Sequence, residues 1–119
     1  MKNFKNIFVN KVEIQVYFDG QNYFVPIKPI CTALDVNYSS QIKKIKRDEI
    51  LNTRTFIAKT EGANGKTYKM RVLPLYCIYG WLFTINPRNV PVEKKKEVQA
   101  ARMECYNKFY DAFMLKGLK

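Results

Sequence analysis

Val12-Glu-Ile-Gln-Val-Tyr-Phe18, followed by Asp19-Gly20 and Tyr23-Phe-Val25, decides the fold of this 119-residue chain. Val12, Ile14, Val16 and Phe18 alternate with Glu13, Gln15 and Tyr17, the period-two pattern of a half-buried strand. Asp19-Gly20 supplies turn chemistry, and Tyr23 to Val25 reads as the returning strand. Pro26 ends that strand, and Pro29 suits the first turn of a helix carrying Ile30, Cys31, Ala33 and Leu34. After a break at Asp35-Val36-Asn37, Ser39 or Ser40 can cap a second helix. On that helix Tyr38, Ile42 and Ile45 share one face, and Ser40, Lys43, Lys44 and Arg47 lie on the other. Asp48-Glu49 oppose the dipole at a helix C-terminus, so the helix is expected to finish near Arg47.

Arg54 to Thr60 and Lys66 to Leu73 are two β-prone runs joined through Asn64-Gly65, a strong hairpin signal because both residues tolerate positive φ. On the second run Tyr68, Met70 and Val72 share a face, and Thr67, Lys69 and Arg71 share the opposite one. Leu75 to Phe83 reads as a mostly buried helix stopped by Asn86-Pro87, and Pro91 opens a last helix reaching about Leu115. That helix has one apolar flank of Val98, Ala101, Cys105, Phe109 and Ala112, and another of Met103, Tyr106, Tyr110 and Phe113. A helix apolar around so much of its circumference has more to bury than one core contact. The second flank is therefore expected to meet a partner, either another copy or a following domain. The expected fold is α+β: one small domain with two β-hairpins, a short helix pair between them and a helical C-terminal half with one long terminal helix.

Composition bounds the function. With 47% hydrophobic residues and only 5 Gly and 5 Pro, the chain belongs to neither the disordered nor the collagenous class. It has no His, which removes Ser-His-Asp triads, Cys-His pairs and His-ligated zinc. Cys31, Cys77 and Cys105 form no C-x-x-C pair and sit beside apolar neighbours, as small buried hydrophobes in a reducing compartment do. The N-terminus has no signal-peptide apolar run, and Leu73 to Ile85 is too short and too interrupted to span a bilayer. A cytoplasmic protein is expected, with no cofactor, metal or membrane partner. Asp48-Glu49 diverge on a helix, Glu93 and Glu97 lie in a Lys-rich stripe, and no Gly-rich phosphate loop is present, so no enzyme is expected.

The net charge of +11 points to polyanionic partners, and its placement narrows the reading. Residues 38–73 hold 9 basic and 3 acidic residues, or +6, more than half of the total. Held from behind by its isoleucines, the second helix can offer Ser40, Gln41, Lys43, Lys44 and Arg47 to a major groove, with Lys69 and Arg71 as a basic wing on the phosphates. Three readings of that helix stay open: contact with DNA, contact with an acidic protein, and an ordinary solvated face. A helix-turn-helix fits poorly, since Val36 falls where the turn needs Gly. The aromatic cluster of Trp81, Phe83, Tyr106 and Phe109 has core spacing rather than the look of a base-stacking platform.

Four stretches recur in this order in one family: Tyr23-Phe-Val-Pro-Ile-Lys-Pro-Ile-Cys-Thr-Ala-Leu34, Tyr38-Ser-Ser-Gln-Ile-Lys-Lys-Ile-Lys-Arg-Asp48, Leu73-Pro-Leu-Tyr with Gly80-Trp-Leu-Phe-Thr-Ile-Asn-Pro87, and Glu104-Cys-Tyr with Tyr110. Over residues 12–115 the sequence resembles the N-terminal domain of phage antirepressor proteins, relatives of Bro-N domains. The resemblance implies a small α+β module of phage or prophage origin. In that family it usually precedes a C-terminal domain, in proteins that interfere with a phage repressor, and Bro-type relatives are linked to DNA binding. It implies DNA or a repressor as partner, and this chain as an excised or stand-alone domain spanning 1–119. It supplies no catalytic or contact residues. Asp35 departs from the family pattern, standing where a Gly is expected to close the first helix.

Overall fold

The computed structural model describes residues 3–62, 64–85 and 91–114. Five strands form one antiparallel sheet: β1 (Asn3–Val9), β2 (Val12–Phe18), β3 (Tyr23–Pro26), β4 (Phe56–Glu61) and β5 (Thr67–Pro74), in spatial order β1-β2-β3-β5-β4. Between β3 and β4 run α1 (Ile27–Leu34), α2 (Tyr38–Arg47) and α3 (Glu49–Arg54). After β5 come α4 (Leu75–Thr84) and α5 (Val92–Phe109), and α5 ends in a π-helical turn, Tyr110–Met114. The architecture is α+β, as expected, with helices on one side of the sheet. Two elements are additional. β1 turns the first hairpin into a three-stranded meander, and α3 makes the helix pair a trio. The two hairpins are also one sheet, because β3 pairs with β5 through Val25↔Leu73.

β1 and β2 join through Asn10 and Lys11, both at positive φ (48° and 66°), which is the twist a two-residue hairpin needs. Asn10 then docks this turn onto the helices. Its side-chain amide donates to Ala33 O at 3.0 Å, and its backbone N–H donates to the Glu104 carboxylate. On the helix side of the sheet Ile7, Val9, Ile14, Val16, Val25 and Leu73 are buried with α1, α4 and α5 in the main core. Phe24, Ala58 and Val72 form a smaller cluster on the other side, with Met70 packed against it.

Helix ends decide several boundaries. α2 ends at Arg47 as read, but Asn37 caps its start, accepting from Ser40 N at 2.8 Å, so Ser39 and Ser40 both lie within the helix. Asp48 closes α2 and begins α3, where its carboxylate accepts from Ile50 N (3.0 Å) and Leu51 N (2.9 Å). Of the two acids that oppose one helix's C-terminus, Asp48 thus caps the next helix and Glu49 lies in its first turn. Asp35 takes the left-handed conformation itself (φ 55°, ψ 46°), with Val36 N donating to Cys31 O at 3.0 Å, so the cap expected of Gly forms without it. Residues 86–90 and Leu115, where the stop of α4 and the end of the last helix were expected, lie outside the described residues.

Candidate nucleic-acid interface

α2 is cationic on one side and anchored on the other. Ile45 is fully buried, and Tyr38 and Ile42 pack against the core from its flanks. Ser40, Lys43 and Arg47 lie three and four residues apart and are exposed, with Lys46 beside them. Lys28 of α1 stands over the Tyr38 ring at 5.8 Å and adds a further cation at the N-terminal end.

Gln41 corrects the expected outward set. It is buried, and its Oε1 accepts a 3.0 Å hydrogen bond from Trp81 Nε1. The reason is spacing: Gln41 stands four residues before Ile45 and shares its inward stripe. There it satisfies the N–H of a fully buried indole, which would otherwise lose a partner. Lys44 is half-buried at the edge of the stripe, and its ammonium donates to Thr84 O. From α5, Arg102 Nε donates to Leu82 O at 2.7 Å. Two cations from different helices therefore neutralise the carbonyl end of α4.

Lys69 and Arg71 lie on the helix-bearing side of the sheet, Lys69 in solvent and Arg71 half-buried against the end of α3. Lys69 is exposed and sits directly opposite Lys59, and Arg71 sits opposite Ile57. Arg71 Nη1 donates to Thr55 Oγ1 at 3.5 Å, and Thr55 N bonds back to Leu51 O at 2.9 Å. α3 thus forms the physical link between the basic helix and the basic hairpin. The hairpin tip is set by Gly65 at φ 79°, and Asn64 Oδ1 accepts from Lys66 N at 3.0 Å.

The second flank of α5 divides. Met103 and Tyr110 are exposed, and Tyr106 is half-buried under Phe83 (5.3 Å between ring centroids), with the Arg102 guanidinium 5.8 Å from its ring. Burial pushes the Tyr106 phenol up, opposed by the neighbouring Arg102 charge. Phe113 does not belong to this flank. It stacks on Phe109 (5.9 Å) and meets the Tyr23 ring at a tilt (4.8 Å), with the Lys5 ammonium 5.4 Å from its ring. Phe113 is four residues from buried Phe109 as well as three from Tyr110, and the sheet-side neighbour prevails. The expected aromatic core splits likewise: Trp81 and Phe109 are fully buried, whereas Phe83 is 71% exposed.

The three thiols are buried and free, and burial pushes Cys31 and Cys105 up to about 12. Cys77 is raised as well, again mainly by burial. Such thiols stay protonated and are poor nucleophiles. Among the described residues no His/Cys/Asp/Glu group of three could hold a metal ion, and no helix is long and apolar enough to cross a membrane.

The sequence that builds this surface has a family counterpart: residues 5–118 match the P22_AR N-terminal domain. The chain belongs to that family. It is a phage antirepressor-type N-terminal domain, a regulatory rather than a known enzymatic family. Comparison with curated proteins and with solved structures gives no match. In this P22_AR N-terminal domain, only Gln41 among the seven basic-surface residues faces the core. Its signal was present in the sequence, as a polar residue on an apolar i, i+4 stripe in a chain with one tryptophan.

Proposed function

We propose that this antirepressor-type domain binds duplex DNA through the outer side of α2, with the β4–β5 hairpin alongside. The observation that carries the reading is the polarity of α2: Gln41 and Ile45 hold it from behind while Ser40, Lys43 and Arg47 stand in solvent. Arg47 and Ser40 can reach base edges, and Lys43 and Lys69 neutralise phosphates. Lys44 supports from its place on Thr84 O. With about five phosphates neutralised, log K against log salt falls with a slope near −4.5. A salt titration on a 20-base-pair duplex tests this. Charge reversal of Lys43, Arg47 and Lys69 is expected to abolish binding while leaving the melting temperature within a few degrees. Absence of duplex binding at low salt overturns the reading.

A second reading rests on the outer side of α4 and α5, where Phe83, Met103 and Tyr110 are exposed around Tyr106. There the domain meets a protein: a repressor, a second copy or a following domain. Phe83→Asp then removes concentration-dependent sedimentation or repressor capture and leaves DNA binding intact. A strictly monomeric profile with no repressor capture rejects it.

A further inference from the structure

β3 is shorter than both of its neighbours. Its four residues pair with β2 only at Tyr17 and Phe18, and with β5 only at Val72, Leu73 and Pro74. At Pro26 the chain leaves the sheet for α1. Since β3 is antiparallel to both, β2 and β5 run in the same direction, and past Pro26 they face each other across a cleft one strand wide. A cavity of about 420 Å³ opens there, lined by Glu13, Gln15 and Tyr17 of β2, Tyr68 and Met70 of β5, and Pro26.

Hydrogen-bond alternation turns unpaired main chain into this cleft from both walls. The two-residue Asn10-Lys11 turn makes Val9↔Val12 a hydrogen-bonded pair, so Val12, Ile14 and Val16 face β1. Glu13, Gln15 and Tyr17 then face the other edge, where only Tyr17 meets a strand among the described residues. On β5, Val72 O accepts from Thr55 Oγ1 (2.9 Å) and Tyr68 O from Thr60 Oγ1 (3.4 Å), both on the β4 side. Lys69 therefore turns its main-chain N–H and C=O toward the cleft, and Arg71 its N–H, while the Arg71 C=O meets Ile27 N–H in closing the Pro26↔Val72 rung. The floor is fixed as well: Tyr17 OH donates to Gln15 Oε1 and Asn64 Nδ2 donates to Tyr68 OH, each at 2.8 Å.

We propose that this cleft receives an extended peptide as an added strand, antiparallel to β2 and β5, along the course that β3 leaves. Main-chain bonds to both edges supply the affinity, and alternate side chains settle on Tyr17, Tyr68 and Met70. Charge complementarity selects the sequence. Glu13 is the one charged side chain on the described walls, in a chain of net charge +11, so the preferred peptide places a Lys or Arg beside it. The cleft lies on the side of the sheet opposite Lys69 and Arg71, which separates it from the proposed DNA surface.

The test uses an acetylated, amidated nonapeptide alternating threonine and valine, with one middle valine replaced by lysine, titrated into the ¹⁵N-labelled chain. Amide shifts are expected at Glu13, Gln15, Lys69 and Arg71. A glutamate in place of the peptide lysine weakens binding about fivefold, and N-methylation of alternate peptide amides removes it. Glu13 is exposed, so Glu13→Lys folds and reverses the preference between the two peptides. Shifts confined to α2 or to α4 and α5, equal binding of the N-methylated peptide, or no shifts at millimolar peptide each overturn the proposal.

Discussion

The two ends of the sheet share a hairpin plan and differ in what covers them. On the helix side, the β1–β2 end presents Ile7, Val9, Ile14 and Val16, all buried. The equivalent side of the β4–β5 end presents Ile57, Lys59, Glu61, Thr67, Lys69 and Arg71, of which only Glu61 and Arg71 are even half-buried. Both hairpins turn through positive φ, at Asn10 and Lys11 in one and at Gly65 in the other. The difference is the helical layer. α5 lies against β1 and α1 against both β2 and β5, while α3 and α4 touch β5 and β4 stays outside the helical layer. The layer is narrower than the sheet, and cations occupy the strip it leaves bare. A lysine on the edge strand β4 also discourages strand-to-strand aggregation, so the same charge serves solubility.

Exchanging residues between the two ends gives the largest expected effect. Val16→Lys buries an ammonium within the apolar core and is expected to cost several kcal/mol, enough to unfold a small domain. Lys69→Val should change stability by no more than about 0.5 kcal/mol. Urea unfolding of the pair measures the contrast, and similar midpoints would break it. The same contrast can be sharpened within α2. Gln41→Ala leaves the buried Trp81 N–H unsatisfied and is expected to cost about 1–3 kcal/mol, whereas Lys43→Ala is expected to be near neutral. Next is Asn37→Ala, which removes the α2 cap for about 1 kcal/mol, read as a lowered melting temperature.

The smallest effect belongs to the exposed turn between β2 and β3. Hydrogen bonds from Asn22 and then Gln21 hold the Asp19 carboxyl below its ordinary value of 3.8. Its contribution is therefore present above pH 3.8 and is lost as pH falls through the lower folded value. Melting of wild type and Asp19→Asn is expected to differ slightly at pH 6 and to converge toward pH 2. A constant difference across that range would reject the assignment.

The sequence made legible those elements whose pattern is local and strong. β2 follows from strict alternation, the distal hairpin from Asn64-Gly65, and the length of α2 from the acids after Arg47. β1 was hidden because its turn, Asn10-Lys11, carries no Gly, and because Lys5 and Asn6 dilute the alternation around Ile7 and Val9. α3 was hidden because Asp48 serves two helices, and reading it as a stop concealed the start. Within the basic surface, a helical wheel sorts Lys43 and Arg47 outward without tertiary knowledge. The inward turn of Gln41 depends on an indole 40 residues away, and that of Phe113 on Tyr23, 90 residues away. Such choices are made by packing partners that no local window contains.

The Gln41–Trp81 bond has a spectroscopic consequence. The chain contains one tryptophan, fully buried and hydrogen-bonded to the inner side of α2. Its emission is therefore a single-site optical report on whether α2 is seated, blue-shifted when docked and red-shifted when released. A ligand on the outer side leaves that signal unchanged, whereas lifting the helix shifts it, so one intrinsic fluorophore separates surface binding from displacement of the helix.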